Sequence, residues 1–159
     1  MNNKDYIDVI IQSLKKKNLV LDEILAKNVE QAEVISKETM DFDKFDEIYQ
    51  QKEKLIKEIT LLDSGFEKVY NRIKEILEED RESYKEEINI MKDRIRTIIS
   101  KAADVEVSEK RNHDAMSEKS EILKKQIKTV KMTNKVAAGY YQTMNKLNYI
   151  EPQFMDKKK

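Results

Sequence analysis

FDEIYQQKEKLIKEITLLDSGFEKVYNRIKEI, residues 45 to 76, decides how this chain folds. Phe45, Ile48, Leu55, Ile59, Leu62, Phe66, Val69, Ile73 and Ile76 recur at alternating steps of three and four, and Lys52 takes the one position of the series without an apolar side chain. Such steps line up side chains on one face of an α-helix, whereas a strand needs steps of two. Sustained over about four and a half heptads, the pattern is a coiled-coil seam. Ser64 to Glu67 has the form of a capping box and Gly65 weakens a helix locally. The stripe nevertheless crosses them without a skip, so one helix is expected through Gly65.

Working outward, punctuation is scarce. Between residues 1 and 138 there is one glycine and no proline, and 39% of all residues are charged. Strand-rich domains need turns, and turns need Gly, Pro and Asn at fixed places. The expected fold class is therefore all-α, with long antiparallel helices in a coiled-coil-like bundle whose last helix is the longest. A length of 159 residues suits one domain, taken as 1–150, followed by a flexible basic tail at 151–159. No apolar run is long enough to span a membrane. The opening residues MNNKDYIDVIIQS lack the apolar block of a signal peptide, so a cytoplasmic protein is expected. The absence of cysteine excludes disulfides, thiolate metal sites and cysteine nucleophiles, and a single histidine argues against histidine-based metal or triad chemistry. No cofactor, no metal and no enzymatic activity are expected.

Ahead of the seam, Ile7, Ile10, Leu14, Leu21, Ile24 and Ile35 form a second stripe, with Lys17, Asn28 and Gln31 filling its gaps in register. A helix over residues 3 to 38 follows. Asp41 is placed to cap the next helix, with Met40 and Phe45 at the two positions of a hydrophobic staple, which puts a turn at 39–41. The seam lapses at EEDRES, residues 78 to 83, where Ser83 and Glu86 offer another capping box, so the second turn falls at 79–82. A third stripe then runs through Tyr84, Ile88, Met91, Ile95, Ile98, Ala102 and Val105, passes polar Glu109 and Asn112, and recovers at Met116, Leu123, Ile127, Val130, Ala137, Tyr140, Met144 and Leu147. The spacing predicts a third helix over 83–147, with a bend or break considered near 105–115.

At 1.5 Å per residue the first two helices reach roughly 54 Å, shorter than the third. Residues beyond about 118 are expected to project past their neighbours. That projection keeps an apolar stripe and carries seven lysines against one acid between residues 119 and 146. An exposed apolar stripe marks an interaction site. The candidate partner-binding residues are Leu123, Ile127, Val130, Tyr140, Tyr141, Met144 and Leu147; the bland alternative for Tyr140 and Tyr141 is an ordinary seam in a homodimer or a folded-back helix. Charge is polarised along the chain, with 13 Lys+Arg against 19 Asp+Glu in residues 1–80 and 10 against 4 in residues 116–159. The neutral total lacks the basic footprint of nucleic-acid binders, and no nucleic-acid partner is expected. His113, in polar EKRNHD, reads as a solvated side chain. Glu78, Glu79 and Asp80 point in different directions on a helix and read as the rim of a turn.

Three segments resemble the FlgN family of flagellar export chaperones: DKFDEIYQQKEKLIKEITLLDSGFEKVY (43–70), EKRNHDAM (109–116) and KVAAGYYQTMNKLNYIEPQFMDKKK (135–159). The resemblance implies a cytoplasmic, all-helical protein that holds hook-associated (hook-filament junction) proteins by an amphipathic terminal helix and keeps them unassembled until export by the flagellar type III apparatus. Members carry a Tyr-Gly tail that docks on export-gate components. Here Tyr149 is the matching tyrosine, but Ile150 follows it in place of glycine. The competing readings are a filament-cap chaperone and a structural coiled-coil oligomer.

Overall fold

The computed structural model describes residues 2–129, with side chains through Ile127. These residues form three α-helices and no strand: α1 Asn3–Ser36, α2 Phe42–Glu79 and α3 Lys85–Thr129. The expected all-α bundle is what the chain forms. Helix α1 opens on a reciprocal cap, which an apolar stripe does not signal. The Asn2 backbone N–H donates to the Asp5 carboxylate at 3.1 Å, and the Asp5 N–H donates to the Asn2 side-chain oxygen at 2.9 Å. Two N–H groups with no helical acceptor are thereby satisfied.

The first turn opens two residues earlier than expected, since α1 ends at Ser36 and not at residue 38, but it closes on the predicted cap. Asp41 caps α2, its Oδ1 accepting from the Lys44 N–H at 3.0 Å, while Met40 and Phe45 are buried in one cluster with Ile35 and Met116. That pairing is the hydrophobic staple. No basic residue lies in the last turn of α1. Lys119 of α3 supplies the missing cation, donating from Nζ to the carbonyls of Lys37 and Glu38, where the helix dipole favours positive charge.

The second turn departs from expectation in detail. Residues 80–84 form it, and α3 begins at Lys85. Ser83 is not the cap, because its hydroxyl donates to Asp80 Oδ1 at 2.8 Å. Tyr84 instead supplies the first carbonyl, accepting from the Ile88 N–H at 2.8 Å. From Lys85 to Thr129 α3 is one helix, without a break at 105–115. Its expected continuation to 147 lies outside the described residues. Helix α2 also runs unbroken through Gly65.

Two compact units divide the chain, and each contains a segment of all three helices. The first comprises Met1–Leu25 and Lys54–Asp104. Within it α1 runs antiparallel to α2, as the pairs Tyr6–Arg72 and Lys17–Asp63 show, and parallel to α3, as Asn18–Arg94 and Asp22–Lys101 show. Ile7, Ile10, Leu14, Leu21 and Ile24 pack in its core with Ile59, Ile73, Leu77, Met91 and Ile98. Its seam is incomplete. Helix α2 buries no side chain between residues 60 and 72, and Leu62, Phe66 and Val69 are only half-buried. Lys17 explains this, since it holds the seam position on α1 and reaches out to Asp63 at 2.7 Å. Leu62 and Phe66 are left without a large apolar side chain at that position of α1. A gap of about 300 Å³ remains, lined by Leu14, Lys17, Leu62, Phe66, Ile95 and Ile98.

Gly65 stands on this weak stretch with nothing within 4 Å of where a Cβ would sit, and its φ is not positive. Only the helix-propensity penalty of glycine then remains. Gly65→Ala is expected to raise the unfolding free energy by about 1 kcal/mol, read from urea denaturation. A loss of stability would mean that this face is packed against something in solution.

The second unit comprises Ala26–Glu53 and the chain from Val105 onward. Again the three segments alternate in direction. Gln31 pairs with Lys52 on the antiparallel α2, and Asn28 and Gln31 pair with Ser108 and Asn112 on the parallel α3, 80 and 81 residues on.

Candidate functional site

The second unit encloses a layer of polar side chains where a bundle ordinarily holds leucine and isoleucine. Asn28 and Gln31 come from α1, Lys52 from α2, and Glu109 and Asn112 from α3, and all five are buried. Each sits at a position where its helix's apolar stripe continues in register, so the periodicity that makes the core also carries these groups inward. Lys52 is only 2% exposed. Its Nζ pairs with the Glu109 carboxylate and donates to Gln31 Oε1 at 3.1 Å. Asn112 Nδ2 donates to Gln31 Oε1 at 3.2 Å and to the Asn28 carbonyl at 2.8 Å. Asn28 Nδ2 donates to Ser108 Oγ at 2.7 Å, and that hydroxyl in turn donates a hydrogen bond to the Val105 carbonyl at 3.0 Å.

Gln31 is the hub, because its single side-chain oxygen accepts from both α2 and α3 and so uses both lone pairs. Burial lowers the pKa of Lys52 from its ordinary value, and the charge and hydrogen bond of Glu109 oppose that shift. Taking two ions out of water costs several kcal/mol each, repaid only when geometry and neighbouring hydrogen bonds are good. The arrangement suits register better than chemistry. Sliding one helix past another by a turn would strand a buried charge, so the layer fixes which residues face each other, as a lone asparagine does in coiled coils.

Two further polar groups of this unit are not among the candidates read from the sequence. Ser120 is buried with its hydroxyl unpaired, and Ser108 links Asn28 to α3. Ser120 follows Met116 by four and precedes Leu123 by three, so the α3 register did pass through it. Ser108 carried no such signal.

Of the partner-binding candidates, Leu123 is half-buried and Ile127 is 8% exposed. Val130, Tyr140, Tyr141, Met144 and Leu147 lie outside the described residues, as does Tyr149. Burial of Ser120 and Ile127 corrects the expectation that α3 projects freely from about residue 118. The turn after α1 explains part of the difference, since Lys119 is tied to it. Elsewhere the sequence expectations for chemistry find these placements: His113 is partly exposed with Asp114 3.8 Å away, and Glu78, Glu79 and Asp80 are exposed. Among the described residues no group of three or more His, Cys, Asp or Glu is arranged to hold a metal ion. Among them, too, no helix is long and apolar enough to cross a membrane. Compared with known proteins, the chain matches no family model, no curated protein and no solved structure.

Proposed function

We propose that this chain is a flagellar export chaperone that binds hook-associated proteins in the cytoplasm and keeps them unassembled for type III export, acting by binding and not by catalysis. One observation carries the reading. The apolar register of α3 passes through Ile127 and continues in the sequence through Val130, Ala137, Tyr140, Met144 and Leu147, while seven lysines against one acid flank it between residues 119 and 146. A stripe of that kind suits an amphipathic helix with acidic edges. Aromatic and methionine side chains add large, adaptable contact area. The likeness of residues 43–70, 109–116 and 135–159 to the FlgN family supplies the identity of the client and of the export route, with Tyr149 as the contact to the export gate.

Calorimetry of the full chain against purified hook-filament junction proteins tests this. Binding is expected, weakened only in part by salt, because rim charges act chiefly on the association rate. Val130→Asp with Tyr140→Asp should abolish it while leaving the circular dichroism spectrum unchanged. Binding to the filament-cap protein alone would transfer the reading to the cap chaperones. Failure to bind either client, with self-association through 130–147, would make the chain a structural oligomer.

A further inference from the structure

The geometry points to a docking groove in the first unit, between the end of α2 and the start of α3, for an acidic amphipathic helix of a protein partner. Its floor is apolar: Phe66, Tyr70 and Leu77 from α2 face Ile88, Met91 and Ile95 from α3 around a cleft of about 330 Å³. The Phe66 and Tyr70 rings are stacked with centroids 5.6 Å apart. Tyr70 and Ile95 are each 38% exposed, so one apolar side chain on each wall is open to a partner. Aromatic side chains fixed in this way make strong anchors for a partner, since they bury much area with little rotamer entropy to lose.

Charge decides the occupant. Lys74, Arg81, Lys85 and Lys92 edge the cleft, against Glu78 and Glu82. The groove is therefore net positive, on a chain whose first 80 residues carry an excess of acids. None of the four cations has a carboxylate partner within ion-pairing distance among the described residues, whereas Lys17 and Lys101 of the same unit pair with Asp63 and Asp22. Unpaired cations around an apolar floor favour a ligand that brings leucine-like side chains on one face and carboxylates along its edges. The α2 wall from Phe66 to Glu78 is roughly 18 Å long at 1.5 Å per residue, a length that a helix of about four turns covers in full. This groove uses residues 66–95 and is independent of the client contact proposed beyond Leu123.

The test is fluorescence anisotropy with the full chain and a labelled amphipathic peptide of about four turns, leucine at the a and d positions, glutamate at e and g and alanine elsewhere. A second peptide replaces every glutamate by lysine. The glutamate peptide should bind at least tenfold more tightly than the lysine peptide. Tyr70→Asp with Ile95→Asp should abolish binding. Lys74→Glu with Lys92→Glu, at exposed positions that leave the core intact, should reverse the preference between the two peptides. Equal affinity for both peptides, no affinity for either, or a preference untouched by the Lys74→Glu, Lys92→Glu variant would overturn the proposal. So would sedimentation showing a dimer of the wild-type chain that Ile95→Asp converts to monomer, because the groove's occupant would then be a second copy.

Discussion

Glu109→Ala is expected to lower the unfolding free energy by about 3–5 kcal/mol, the usual consequence of leaving a buried charge without its partner. Lys52 has nowhere to go. Its ammonium is enclosed, and Gln31, its other partner, already accepts from Asn112. Replacing both members, Lys52→Met with Glu109→Leu, should be neutral or even stabilising, since the desolvation cost of both ions disappears with their attraction. A double-mutant cycle in urea measures the coupling. The sign of the pH dependence follows from the lowered pKa of Lys52. Between that folded value and the ordinary 10.5, the unfolded chain binds more protons than the folded one, so stability contributed at this site rises with pH. The penalty for the buried charge is fully present below the folded value and is relieved as pH climbs towards 10.5. Lys52→Met should remove this rise, and Glu109→Ala should extend it to lower pH by removing the charge that opposes the shift. A Lys52→Met variant that kept the same alkaline slope as wild type would place the titrating group elsewhere.

Periodicity reads the fold because it reports which face a helix buries, and that is a local property. Nine apolar positions and one lysine on α2 sufficed to put α2 whole across Gly65, and Asp41 with Met40 and Phe45 sufficed to place the first turn. The polar layer was visible in the same way. Lys52, Asn28, Gln31, Glu109 and Asn112 each stood in register with apolar neighbours, and all five are buried. What the sequence does not carry is partnership between helices. Nothing local pairs Lys52 with Glu109, or ties Lys119 to the carbonyls after α1, because those contacts depend on register between helices far apart in the chain. The same limit explains the open seam around Phe66. Its own helix marks it as core, but Lys17 of α1 borders the gap beside it and pairs with nearby Asp63, and a stripe cannot report what stands on the helix opposite. The cap at Ser83 failed for a competing local reason, since Asp80 accepts its hydroxyl. Helix lengths alone predict a projecting α3 only if nothing but helices covers helices. Lys119, held by the turn after α1, shows that a loop does so as well.

Phe45→Ala is expected to cost about 3–5 kcal/mol, the range for deleting a buried aromatic ring. Phe45 is 2% exposed, and it joins three pieces of chain at once: Ile35 at the end of α1, Met40 in the turn, and Met116 on α3. Its ring is therefore both core and staple. Removing it empties a site that the rigid turn cannot collapse to fill, because Asp41 and Lys119 hold the turn from outside. Phe66→Ala supplies the contrast within the same helix. On the sequence stripe the two phenylalanines are equivalent, yet Phe66 is half-buried beside an open gap, so less area returns to water and little new cavity forms. Its loss should be plainly smaller. Paired urea denaturation of the two variants decides the matter: a penalty for Phe66→Ala equal to that for Phe45→Ala would mean that the seam at residues 60–72 closes in solution and that Phe66 is not available to a partner.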